Sequence, residues 1–208
     1  MLLRKNSDTG QAFPIYITVV GGLLFLAFAY FAVGQAAANR NGAQTAADAA
    51  ALAAAQDKRD QLAGAWLKDV LDPTKWTQIF AGNAEGLQPS CWRAGELAAR
   101  NDARLAGLEC QPDTPLSFTV EVETNKSVGE SIVPGTEEQQ ANATAKAVIE
   151  PRCEFDPPTG EVDPDVLPKL FCKGGVDWEL KPDDLSTLPK PEELFDVHLA
   201  EEPQANDE

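Results

Sequence analysis

The sequence predicts an α+β protein in which a single N-terminal transmembrane helix continues into a long extracytoplasmic helix, packed on a small antiparallel-sheet head with disulfides. Three observations predict it: an uncharged apolar run at Ala12–Gly34, an alanine-rich continuation without proline to about Leu71, and two alternating segments beyond Pro73 flanked by four cysteines.

The apolar run is 23 residues long, about 34 Å as a helix at ~1.5 Å per residue, enough to span a bilayer core. Arg4 and Lys5 precede it and the next base is Arg40. The positive-inside rule therefore places the N-terminus in the cytoplasm and the C-terminal part outside. Cleavage by signal peptidase at Gln35–Ala38 is an alternative, although the run exceeds the ~7–15 residues usual for a secretory signal.

From Gln35 to Leu71 the residues are mostly Ala, Leu, Gln, Arg, Lys and Asp, whose propensities favour continuing the same helix until Pro73 stops it. Gly34, Ala38, Gly42, Ala46, Ala50 and Ala54 recur every four residues. Such a small-xxx-small row lets a second helix approach closely, so these six are candidate helix-packing residues, with a stiff spacer as the alternative. Leu52, Leu62, Trp66, Leu67 and Val70 add bulk near the helix end and predict the place where a domain docks.

Asp8-Thr-Gly10 before the apolar run, followed by Gln44-Thr-Ala-Ala-Asp48-Ala-Ala-Ala-Leu52-Ala-Ala-Ala, resembles the N-terminal signature of the TadG-like branch of TadE/TadG pilus-assembly proteins over roughly residues 6–56. The resemblance implies a pilin-like stalk and a single-pass, non-enzymatic pseudopilin-like component of a tight-adherence (Flp, type IV-like) pilus or secretion system. Its signature positions here are Gly10, Gln44, Asp48 and Leu52, with Asp48 a candidate partner for a cation on a neighbouring subunit. Members often carry an acid late in the apolar segment, which Tyr30–Gly34 lacks. Prepilin-type cleavage after Gly10 would put Ile15, not the usual glutamate, at the fifth mature position.

Beyond Pro73, Ser90–Leu105 reads as a helix, with Ala94, Leu97, Ala98 and Leu105 on one side and Gly107 as a stop. Leu116–Glu123 and Ala141–Ile149 alternate with period two and are predicted antiparallel partners, each with one buried face. Asn125–Gln140 reads as a long exposed loop between them. Two strands are too few for independent stability, and Phe171–Leu180 and Leu194–Leu199 are the runs expected to join the sheet.

Cys91, Cys110, Cys153 and Cys172 lie outside the apolar segment. An even count in an oxidising compartment reads as two disulfides. Of three possible pairings, Cys91–Cys110 and Cys153–Cys172 close the shortest loops and are preferred. The spacings lack the close cysteine pairs of a zinc site.

The chain carries 17 bases and 33 acids, a net charge of -16. Residues 150–208 hold 17 of the acids and 5 of the bases, so -12 of that charge. This balance opposes binding to nucleic acid. A single histidine, His198, and no phosphate loop, metal-ligand spacing or nucleophile elbow leave no catalytic residues to nominate. The expectation is a non-enzyme with no cofactor and no metal. Its expected partners are the lipid bilayer and pilin-like or pilus-platform membrane proteins, with a homo-oligomer as a further option. The division expected is 1–11 cytoplasmic, 12–34 transmembrane, 35–72 stalk, 73–202 head and 203–208 loose acidic tail. A cell-surface binding module, with the helix only as anchor, is the alternative.

Overall fold

The computed structural model describes residues 12–127, 138–157, 166–182, 184 and 188–201. One helix, α1 (Ala12–Lys68), runs unbroken through the apolar and alanine-rich segments. It is long and apolar enough to cross a membrane. Two hydroxyls find partners on the helix's own backbone: Thr18 Oγ1 and Thr45 Oγ1 each donate to the carbonyl four residues back, Pro14 O at 2.8 Å and Asn41 O at 3.0 Å. Asp72 and Pro73 lead the chain out of the helix into α2 (Trp76–Phe80) and then α3 (Cys91–Arg100).

The main sheet has four antiparallel strands in the order β1 (Ala103–Thr114), β2 (Ser117–Thr124), β3 (Asn142–Pro151) and β7 (Phe195–Leu199). The expected β2–β3 pair forms, with Val120 opposite Ala145 and Phe118 opposite Ala147. The Leu194–Leu199 run supplies β7, entered through the short α4 (Pro191–Leu194). Pro191 suits the first turn of that helix because it lacks the N–H that would be unsatisfied there, and Lys190 N–H donates to Glu193 Oε2 at 2.6 Å.

Two expectations about the head are corrected. The predicted Ser90–Leu105 helix ends at Arg100, because Asn101 closes it and Asp102 turns left-handed at φ 55°. Asp is one of the few residues that adopt this conformation readily. Leu105 consequently lies in β1 opposite Val122, and Gly107 sits in an irregularity of that strand. The Phe171–Leu180 run does not join the main sheet. It forms part of a separate small sheet of β4 (Cys153–Glu154), β5 (Leu170–Cys172) and β6 (Val176–Trp178).

Both preferred disulfides are present. Cys91–Cys110 ties the start of α3 to β1, and Cys153–Cys172 joins residues directly opposite each other in β4 and β5. Each spans a sequence separation of 19, which in the chain-entropy account contributes about 3 kcal/mol.

The upper part of α1 and the sheet share one core. Ala46, Ala47, Ala50, Ala51, Ala54 and Ala55 are fully buried together with Val120, Val122, Ala147 and Ile149. Leu62, Trp66 and Val70 are buried as expected, whereas Leu67 faces outward at 52% exposure. Docking therefore extends well below the Trp66 end, because alanines on the helix meet alanines on β3 and allow close approach. An aromatic chain closes the top, running from Trp66 to Trp76 at 5.5 Å, Trp76 to Phe155 at 5.3 Å, Phe155 to Phe80 at 5.7 Å and Phe80 to Phe195 at 5.2 Å between ring centroids. Gly82 makes the turn beneath it possible: φ is +84°, and a Cβ there would meet Pro115 at 2.8 Å and Leu116 at 2.9 Å.

Candidate functional site

The signature residues that fall within the described structure converge where α1 leaves its bare half and meets the sheet. Gln44 and Asp48 are one helical turn apart on the same face, and Gln44 Nε2 donates to Asp48 Oδ1 at 2.8 Å. The i, i+4 spacing places such side chains side by side. Within the chain, Asp48 thus has an amide partner. Leu52 is half-buried and packs on the core. Gly10 lies outside the described residues.

Two grooves flank this pair. One, of about 260 Å³, lies among Gln44, Asp48, Thr144 and Leu199–Glu201. The other, of about 430 Å³, is lined by Arg40, Asn41, Gln44, Asn142, Ala143 and Thr144. Strand register creates them. Strand β7 pairs with β3 from Pro151 down to Ala147, and Ala200 N–H donates to Lys146 O at 2.8 Å. Below that point the first residues of β3 have no strand on that side among the described residues, leaving the space between β3 and α1 open.

The small-residue row of α1 divides at the same level. Gly34, Ala38 and Gly42 are exposed, and a Cβ added at Gly34 or Gly42 would meet nothing within 4 Å. Ala46, Ala50 and Ala54 are fully buried against the chain's own head. The upper half of the row, expected as a surface for another helix, is therefore already filled from within the molecule. Asn39 Nδ2, just below the division, is buried without a hydrogen-bond partner.

The segment that builds this junction is also the one that known proteins share. Residues 10–57 match the family model Tad, described as "Putative Flp pilus-assembly TadE/G-like". The matched Tad segment covers the bare half of α1, the Gln44–Asp48 pair and the alanines beneath the sheet, and stops before Trp66. No curated protein and no solved structure matches the chain. The match agrees in extent with the resemblance carried by Asp8–Gly10 and Gln44–Leu52.

Sequence reasoning located Gln44, Asp48 and Leu52 but missed the groove partners Arg40, Asn142, Thr144 and Glu201. No local signal marks them, because they come together only through the register of β3 against β7 and the height at which the sheet docks on α1. A further cleft lies at the opposite end of the head, where Trp92, 60% exposed, stands beside Gly64, Ala65 and Leu87.

Proposed function

We propose that this chain is a membrane-anchored minor-pilin or pseudopilin-like structural component of a Tad (Flp, type IV-like) pilus-assembly or secretion system, without catalytic activity. In this reading the N-terminus is cytoplasmic, Ala12–Gly34 spans the bilayer and the disulfide-braced head is extracytoplasmic. The observation that carries it is the division of the Tad-matched helix into a half sealed by its own sheet and a half left bare. Lipid accounts for the bulky bare residues such as Phe25 and Leu26, which are exposed in the fold. Gly34, Ala38 and Gly42, at and just beyond the end of the apolar run, remain open to the helix of another pilus component.

The test exchanges Gly34, Ala38 and Gly42 singly for leucine in the full chain and measures co-purification with pilus components from native membranes. Loss of co-purification, with head unfolding unchanged, is expected. Retained co-purification would make the helix a plain anchor. Changes at Ala46 or Ala50 cannot serve here, because they would overfill the chain's own core. The exposed Trp92 cleft favours a second reading, a cell-surface binding module; a Trp92→Ser change that abolished function while sparing assembly would select it.

A further inference from the structure

We infer that the groove between α1 and the first residues of β3 holds the phosphodiester headgroup of a membrane lipid, with Arg40 as its cation. The inference rests on the reading that Ala12–Gly34 spans the bilayer.

Arg40 is the only base between Lys5 and Lys58. Among the described residues it is the one arginine with no hydrogen-bond or ion-pair partner. Arg59 pairs with Asp60, Arg93 and Arg100 with Glu96, and Arg104 with Glu123, while Arg152 donates to backbone carbonyls. Arg40 thus stands without a counter-charge in a chain of net charge -16, and among the described residues no carboxylate lines its groove. Asn41, Asn142 and Thr144 add two amides and a hydroxyl suited to phosphate oxygens, beside Gln44, whose Nε2 already donates to Asp48.

Height selects the lipid over other phosphates. Arg40 is six residues beyond Gly34, about 9 Å along the helix at ~1.5 Å per residue, against a headgroup layer of roughly 5–7 Å on each side of the core. Helical side chains lean toward the N-terminus, and an arginine stem is long enough to cover the remaining distance. The groove of about 430 Å³ is within the size range of small-ligand sites. A basic residue near anionic lipid headgroups is attracted to them.

The test places the full chain in nanodiscs of phosphatidylcholine and phosphatidylglycerol and counts retained phosphatidylglycerol by native mass spectrometry. The expected result is retention by the native chain, about five-fold less by Arg40→Gln, near-native retention by Arg40→Lys, and no change in Lys68→Gln, a base at the other end of α1. Excess inorganic phosphate should not displace the lipid. Equal retention by the native chain and Arg40→Gln would overturn the inference, as would displacement by inorganic phosphate, which would make this a site for free phosphate. Equal lipid retention together with loss of co-purifying pilus protein in Arg40→Gln would reassign the groove to a protein partner. A chain that failed to enter the discs would overturn the membrane anchor itself and the lipid site with it, an outcome distinct from insertion without Arg40 dependence.

Discussion

Below Gly42 and above it, α1 uses the same four-residue spacing of small side chains to opposite ends. In the upper half, Ala46, Ala50 and Ala54 are fully buried, because β3 brings its own small residues, Ala145 and Ala147, against them. In the lower half, Gly34, Ala38 and Gly42 face open space, surrounded by Phe28, Tyr30, Phe31 and Val33, all exposed. Small residues thus permit a close approach without saying what approaches. Bulk decides the rest: the upper half has only Leu52 of its own before Leu62 and borrows the remainder from the sheet, while the lower half carries bulk outward, as a helix in lipid does.

The largest test of this division is at the aromatic cap. Trp66→Ala should cost the head about 3–5 kcal/mol, read by urea unfolding of the full chain in detergent through the remaining tryptophans. Phe25→Ala, the matching large-to-small change in the bare half, should leave that transition where it is. Comparable losses at both sites would erase the distinction between the halves.

Next in size are the two disulfides. Replacing Cys91 and Cys110 together by serine should cost about 3 kcal/mol of head stability, again without effect on the bare half. The same head transition should shift on adding reductant to the native chain.

A smaller and more direct comparison applies one substitution to both halves. Ala50→Leu inserts bulk into a filled core and should destabilise by about 1–3 kcal/mol. Ala38→Leu adds the same atoms to an exposed site and should leave unfolding unchanged. Gly42→Ala, just below the dividing level, has no neighbour to strike and should raise helix stability by up to about 1 kcal/mol.

Much of this architecture was legible because it depends on local pattern. A charge-free run, an alanine tract ended by Pro73, and period-two alternation at Leu116–Glu123 and Ala141–Ile149 are each written within a few residues. Register and partner choice are not. The Phe171–Leu180 run alternates as well as the Leu194–Leu199 run does, yet the Cys153–Cys172 bond accompanies its pairing with β4 in a separate small sheet. The end of α3 was obscured because Ala103, Leu105 and the preceding alanines suit either a helix face or a strand, and the left-handed turn at Asp102 decides between them. At the candidate site, Gln44 and Asp48 were legible through the family resemblance, whereas Arg40, Asn142 and Thr144 are brought together only by strand register and docking height.

The smallest expected effect is electrostatic and again separates the two halves. On the sheet, Thr119 Oγ1 donates to Asp113 Oδ2 at 2.6 Å and Lys146 Nζ lies 3.1 Å from it, linking three strands. The Thr119 hydrogen bond, aided by Lys146, holds the Asp113 carboxyl below the usual aspartate range. A carboxyl depressed in the folded state adds stability above its unfolded pKa, near 3.9, and that stability is lost as pH falls through the folded value. The native head should therefore weaken below about pH 4, and Asp113→Asn should remove part of that acid dependence while costing under about 1 kcal/mol at neutral pH. Between Ala12 and Asn39 there is no Asp, Glu, Lys, Arg or His, so the helicity of the bare half should not change over the same titration. An acid-dependent loss of helix in that half would mean that its order is borrowed from the head, and that the two parts of α1 are coupled more tightly than their packing implies.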